Sequence, residues 1–361
     1  MGRVFDVAVI GAGVAGLAGA LAASRTARTV LVTEKLPSAD EVRRIDAIPA
    51  RTLALLSEFG VRPHAIGVDG LHSERVVSWE HAKPSRQLAP PTAHVERPRL
   101  ELALFEALLR RRDVDIVLSR VTPRWDGVFA GDGWRAVRLI DATGRAAVSA
   151  ETVVRATPSW GSRFFLTDRA TIPASPALRI AALQDGYAYR LGSADLMGIG
   201  LVGRSVLVKG PPADVEAAVR DASAGWLLDG MPSLAAMRAG DSGIGSLQWS
   251  LGGNGVRIGD ANLARDALSS QGIAVACSEA LYAAAIRTPV DAALVHARQI
   301  EQRATHLDTL GRVIERCRFR EASIWSDYAS FVARFGDRPV PAETAALRQN
   351  QVQRMTVRTV T

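Results

Sequence analysis

The chain of 361 residues is long enough to bury a sizeable core and exceeds one ordinary domain. Hydrophobic residues make up 48% and charged residues 22%, a globular balance that excludes disorder along most of the length. The net charge of +7 raises nucleic acid as a partner, but the arginines are dispersed and lack an aromatic-interleaved stripe, so no nucleic-acid partner is expected. The one dense run, Arg110-Arg111-Arg112, ends an amphipathic helix, where cations suit the carbonyl-rich terminus. No apolar run reaches the roughly 18–20 residues of a membrane span. Met1-Gly2-Arg3 passes straight into a strand-like run, without the pattern of a signal peptide. Cys277 and Cys317 form no CxxC pair, which excludes a disulfide scaffold and makes the cytoplasm the expected location. The six histidines show no HxH or HExxH spacing, so no metal site is expected.

Val4 to Ile10 reads as a buried strand, β-branched and without polar alternation. The next stretch, GAGVAGLAGALAASR, turns helical, and Thr29 to Thr33 is a second strand. Together they form a βαβ unit at the start of the chain. Helices are predicted from about Pro49 to Phe59 and from about Arg99 to Arg111, then strands over Val114–Val121 and Val137–Ile140. From about Ala150 to Ser250 the runs RFFLTD, LRIAAL, YAYRL and GIGLVG read as antiparallel strands, interrupted by a helix near Ala213 to Ala224. Gly255 to Gly259 is a strand again, and a long helical stretch opens at Gly272. Beyond about Thr305 the chain reads as helical, with an arginine-rich tail.

Two motifs carry chemistry. Gly11-Ala12-Gly13-Val14-Ala15-Gly16 stands between a strand and a helix. There Gly11 allows a tight turn, Gly13 lets the backbone approach a pyrophosphate, and Gly16 lets the helix pack on the sheet. Phosphates then meet the unpaired N–H groups of the helix start, with Ala15 in its first turn. Glu34, at the tip of the second strand, is placed to accept hydrogen bonds from ribose hydroxyls. The second motif is Gly259-Asp260 at the end of a strand, followed by Ala267-Leu-Ser-Ser-Gln271-Gly272 opening a helix. A loop aspartate capping a helix is the plainer reading of Asp260.

With both motifs in place the chain resembles the FAD-dependent monooxygenase and flavin-dependent halogenase superfamily, which includes p-hydroxybenzoate hydroxylase and the tryptophan halogenases. The resemblance implies FAD as cofactor, with Asp260 on a ribitol hydroxyl and the helix starting at Gly272 aimed at the flavin pyrimidine edge. Three more stretches extend it over all but about the last 50 residues. Arg44-Ile-Asp-Ala-Ile-Pro-Ala-Arg51 looks like the segment before a family helix. Val95-Glu-Arg97-Pro-Arg99 looks like the V-D-R segment whose arginine touches the cofactor, which carries over onto Arg97. Asp141-Ala-Thr-Gly144-Arg145 is similar to the D-A-T-G segment that closes over the pyrophosphate, though a type I turn explains it almost as well.

Departures from the pattern bear on activity. Tryptophan halogenases carry a lysine after the first helix and a G-W-x-W-x-I-P segment. Here no lysine stands between Lys35 and Lys83, and the nearest match to the segment is Gly186-Tyr187-Ala188-Tyr189-Arg190-Leu191-Gly192. Gln271 stands where halogenases have a small hydroxyl residue beside a chloride. Tyr187, Tyr189 and Gln271 are therefore the candidate catalytic residues. His72, His81 and His94 lie in the segment that faces the substrate in relatives and are further candidates for a base. Cys277 reads as a buried thiol and Trp249 as a core residue.

The fold expected is α/β, a three-layer FAD-binding Rossmann-type domain with an inserted antiparallel β-sheet substrate domain and a helical C-terminus. The expected bounds are 1–149 and 255–305 for the FAD-binding domain, 150–254 for the substrate domain and 306–361 for the helical segment. The function the resemblance implies is monooxygenation of an electron-rich substrate (aromatic, carrier-tethered or peptidyl) through a flavin hydroperoxide. Molecular oxygen is the co-substrate, and NAD(P)H or a separate flavin reductase is the electron source. The +7 charge suits an acidic carrier or peptide as well as a small molecule. A halogenase, an FAD-dependent dehydrogenase or reductase, and a non-catalytic FAD-binding partner protein are the alternatives.

Overall fold

The computed structural model describes residues 3–336 apart from 42–43, 121–123, 126–127, 150–152, 156–159, 169–176, 194, 205–207, 232–238, 242–244 and 248–254. Trp249 and the arginine-rich tail beyond residue 336 lie outside the described residues. The chain opens with β1 (Arg3–Ile10), α1 (Val14–Ala23), β2 (Thr29–Thr33), β3 (Ile45–Pro49), α2 (Ala50–Ser57), β4 (His72–Ser78), β5 (Ser85–Glu96) and α3 (Arg97–Leu109). There follow β6 (Val114–Leu118), β7 (Arg124–Trp125), β8 (Phe129–Gly131), β9 (Trp134–Asp141), β10 (Val153–Arg155), β11 (Trp160–Asp168), β12 (Leu178–Leu183), β13 (Gly186–Gly192) and β14 (Leu196–Arg204). The last part holds α4 (Pro212–Ala222), β15 (Ala239–Asp241), β16 (Gly245–Leu247), β17 (Gly255–Arg257), β18 (Leu263–Ala264), α5 (Gly272–Ala285), α6 (Pro289–Glu315) and α7 (Ser323–Gly336).

The first sheet is parallel at its centre, in the order β6-β2-β1-β9, and the far edge of β9 pairs with antiparallel β8 over Trp134–Ala136 and with parallel β17 over Leu139–Asp141. Helices cover one face, where α1, α3 and α5 set Leu17, Leu104 and Ala280 against Val9 and Ile140, while Ala8, Ile10 and Val32 on the other face pack with Phe129 of β8 and Trp134. Parallel strands end on one side of the sheet. That side therefore gathers the Gly11 turn after β1, the loop after Asp141 and the turn at Gly259 after β17.

The second sheet has eight strands, in the order β15-β11-β14-β13-β12-β4-β5-β3. Alternation on β13 sets Tyr187 and Tyr189 on one face and Ala188 on the other. α4 covers the Ala188 face with Val215 and Val219. The Tyr187 face is covered by α6 and α7, whose Leu310, Trp325 and Tyr328 pack on Trp79, Trp160 and Ile180. Arg318 ties this corner together, donating to the Ser78 hydroxyl and to the carbonyls of His81, Ala182 and Ala222.

This sheet is not made from 150–254 alone. Three of its strands, β3, β4 and β5, come from residues 45–96, inside the segment expected in the FAD-binding domain. Sequence reading passed over them for a physical reason. β5 holds Pro90-Pro91, which argues against a strand, but the register against β4 jumps between Thr92 and Leu88, so both prolines sit in the irregularity.

Candidate active site

The carboxyl side of the first sheet and the Tyr187 face of the second enclose a cavity of about 960 Å³. Its nucleotide end is mostly backbone. Gly13 precedes α1, no side chain caps that helix, and no acidic residue stands in its first turn. A Cβ on Gly13 would meet only Glu101 Oε1, at 3.9 Å, so the start of α1 opens into the cavity beside Val14 and Ala15. This cradle of unpaired N–H groups suits a pyrophosphate. Gly11 and Gly16 act differently. Gly11 has φ +100°, and a Cβ there would lie 2.6 Å from the Ala142 carbonyl. A Cβ on Gly16 would lie 1.8 Å from the Gly11 carbonyl. Both are packing requirements that set the turn, and neither lines the cavity.

Beyond this end the wall is made of side chains on short turns. Asp260 lines the cavity, with Arg145 Nε 3.9 Å from Oδ2. Its turn is held from below by Glu279 of α5, which accepts the Gly259 N–H at 2.6 Å and the Asn262 amide at 2.7 Å. Burial pushes the Glu279 carboxyl up to about 7, against the pull of Arg265 and these hydrogen bonds. Arg97, the first residue of α3, lines the same region and donates twice to Asp46 of β3, at 2.6 and 3.0 Å. Burial opposes charge on both partners, but Arg97 and Arg44 together outweigh it at Asp46, whose carboxyl stays below the ordinary range. Gln271 and Gly272 line the cavity at the start of α5, another helix start without a side-chain cap.

The opposite end is a wall of rings around one carboxylate. Tyr187 donates to Asp266 Oδ1 at 2.6 Å, and Tyr328 of α7 donates to Oδ2 at 2.8 Å. The Leu268 N–H adds a third bond, to Oδ1 at 2.8 Å. Burial raises the Asp266 carboxyl, and these three donors draw it back only in part. Tyr189 stands beside Tyr187 with ring centroids 6.3 Å apart, over Gly200, where any Cβ would strike its ring. Tyr187, Tyr189, Asp266 and Gln271 all line the cavity.

Some expected residues stand elsewhere. Asp141 is fully buried and spent on its own turn, accepting Thr143 N–H and Oγ1 and Ser149 N–H at 2.7–3.0 Å. It shapes the loop, while Ala142, Gly144 and Arg145 reach the cavity, which corrects its expected place on the cofactor. Glu34 is exposed at the tip of β2 and faces Arg120 Nε at 3.5 Å instead of lining the cavity. None of the three histidines lines it either. His94 is buried with Nδ1 2.9 Å from the Gly192 carbonyl, the His72 ring lies against it at a 46° tilt, and His81 is exposed. Cys277 is buried and burial pushes its thiol up to about 12, an inert core residue. Sequence reasoning missed Asp46, Asp266, Glu279 and Tyr328, because each acts through a partner far away in the chain.

Residues 6–40 match the family described as FAD binding domain, and the Gly13 cradle fits that group. No curated protein matches the chain in sequence. Among solved structures, the myxobacterial chondrochloren halogenase CndH, an FAD-dependent halogenase, is 16% identical with a TM-score of 0.70 over 99% of this chain and 90% of its own. The peptidyl tryptophan dihydroxylase QhpG is 23% identical, with a TM-score of 0.61 over 94% of this chain and 80% of its own. PqsL of P. aeruginosa, solved with 2-aminobenzoylacetate, is 16% identical, with a TM-score of 0.61 over 96% and 100%. The chain thus carries an FAD-binding domain in the fold shared by FAD-dependent halogenases and monooxygenases, as its motifs implied. Among the described residues no helix is long and apolar enough to cross a membrane.

Proposed function

We propose that this chain is an FAD-dependent monooxygenase that hydroxylates an electron-rich substrate, an aromatic small molecule or an aromatic group tethered to an acidic carrier or peptide. Gly13, Ala15, Arg97, Asp260 and Gly272 hold the cofactor in this reading, and Tyr187, Tyr189 and Gln271 meet the substrate. Bound FAD supplies oxygen activation, with electrons from NAD(P)H or a separate flavin reductase and molecular oxygen as co-substrate. The chain's own part is to orient the substrate, work that the ring wall suits.

One observation carries the choice of oxygen transfer. Among the described residues the cavity's lysine is Lys35, an exposed side chain at the nucleotide end that pairs with Glu41 at 2.7 Å. The Tyr187–Tyr189 wall has none to receive a hypohalous species. Halogenation is the second reading, favoured by the TM-score of 0.70 with CndH. Turnover of an electron-rich aromatic substrate with labelled oxygen and bromide separates the two. The expected product gains one labelled oxygen and no bromine, and Tyr189→Ala slows its formation while FAD stays bound. A brominated product without label would overturn the reading.

A further inference from the structure

The pyrophosphate cradle is not lined by backbone alone. Glu101, in the second turn of α3, reaches across to the start of α1, where its Oε1 is the atom that a Cβ on Gly13 would meet, at 3.9 Å. The residue lines the cavity, and 13% of its side chain is exposed. A carboxyl group therefore stands where two phosphate charges are to be received.

No close cation fixes its charge. Arg97 commits Nε and one terminal nitrogen to Asp46, at 2.6 and 3.0 Å, and its other terminal nitrogen stays 3.9 Å from Glu101 Oε1. Arg44 adds attraction and Glu41 and Asp46 add repulsion, while the first turn of α1 brings no acidic side chain. Burial outweighs the two arginines and raises the Glu101 carboxyl above its ordinary range. Phosphate charges arriving beside it push the same way, because like charge favours the neutral acid. A neutral carboxyl has an O–H to donate, which a carboxylate lacks, and a phosphate oxygen is a strong acceptor for it.

We propose that Glu101 is a cofactor ligand that meets the FAD pyrophosphate as a neutral hydrogen-bond donor, so that binding of FAD draws a proton onto this carboxyl. This rests on the pyrophosphate lying at the Gly13 cradle, and it adds a titrating residue to that site. The empty site releases the Glu101 proton at a lower pH than the loaded one. Between those two points binding takes a proton from solution, and FAD affinity falls as pH rises, by up to about tenfold per pH unit. A Glu101 that stayed ionised would repel the pyrophosphate throughout, and binding would take up nothing at this position.

The test is calorimetric titration of the FAD-stripped full chain with FAD, in two buffers of different ionisation heat, from the ordinary carboxyl range to mildly alkaline pH. The difference between buffers counts protons. Wild type should take up protons, with affinity falling as pH rises. Glu101→Gln keeps a donor that does not titrate, so it should lose that uptake and bind FAD more tightly than wild type at the alkaline end. Glu279 is the other raised carboxyl near this end, and Glu279→Gln should keep the Glu101 uptake. Release of FAD from the loaded protein, followed by flavin fluorescence, should rank the variants in the same order. A wild-type affinity independent of pH, or an uptake unchanged in Glu101→Gln, would overturn the proposal. Should Glu101→Gln fail to fold, Glu101→Ala replaces it, with the same loss of uptake expected. Gly13→Val tells two failures apart. With FAD lost in that variant, a flat wild-type pH profile sinks the role of Glu101 alone; with FAD retained, the cradle and Glu101 fall together.

Discussion

The two ends of the cavity are built from different materials. At the nucleotide end the groups that face the cavity are backbone N–H donors at helix starts, exposed by the absence of side chains at Gly13 and Gly272. At the opposite end they are side chains delivered by β13 and the turn before α5, held by one another and, from behind, by Tyr328 of the last helix. A backbone site depends on a local turn, so it tolerates change in distant parts of the chain. A side-chain site depends on convergence, so it can be retuned by single substitutions at remote positions.

The sharpest way to break the first half of this contrast lies within the glycine motif. Gly16→Val places a Cβ 1.8 Å from the Gly11 carbonyl, backbone that cannot move without shifting β1. The expected outcome is loss of the folded state, a destabilisation above about 4 kcal/mol. Gly13→Val meets only Glu101 Oε1 at 3.9 Å, and the φ of −76° at Gly13 is allowed for any residue. That variant should purify without FAD and melt with the FAD-stripped wild type, below the loaded protein by the stabilisation that binding supplies. Circular dichroism and flavin absorbance on the two variants separate the roles, and a Gly13→Val protein that retains FAD would place the pyrophosphate elsewhere.

Glu279 sharpens the comparison, because it is a side chain that props the backbone end. Burial pushes its carboxyl up to about 7 from the ordinary value of 4.5. Between those values the folded chain holds a proton that the unfolded chain has released. Stability therefore falls as pH rises through this window, by at most about 3 kcal/mol. In Glu279→Gln this component of the slope is absent. Urea unfolding of both proteins at the two ends of the window should show wild type losing ground to the variant as pH rises. Parallel curves would return Glu279 to an ordinary carboxylate.

The same division explains what could be read from sequence. The strand–GAGVAG–helix unit and Gly259-Asp260 were legible because turn, phosphate cradle and helix start are all local in sequence. The helices and most central strands were legible through their periodicity. β4 and β5 were not: their outer residues are polar and exposed, and Pro90-Pro91 interrupts the run. Asp266 carried no signal at all. It reads as a cap before a short turn, which it also is, since it accepts the Leu268 N–H. Its second role needs Tyr187 and Tyr328, each about 60–80 residues away, and only the packing of α7 on the second sheet brings them together. Asp141 failed in the opposite sense. Its motif was legible, but the carboxylate is consumed by Thr143 and Ser149.

Glu34 is the place where both kinds of construction meet, and it gives the smallest expected effect. It directly follows β2 at the nucleotide side, where an acceptor for ribose hydroxyls belongs. Its side chain is 64% exposed and faces Arg120, itself 89% exposed, at 3.5 Å. An ion pair this open to water is worth about 0–1 kcal/mol, so Glu34 can leave it for a ribose at little cost. The bond it would gain is also solvated, and its net worth is of the same order. Glu34→Gln should therefore weaken FAD binding by about 1 kcal/mol or less. Arg120→Ala, which removes the competitor, should strengthen it by a few tenths of a kcal/mol at most. Isothermal titration of the apoprotein with FAD measures both. A loss of several kcal/mol in Glu34→Gln would mean that the tip of β2 closes over the nucleotide on binding, and that this end too is built by convergent side chains.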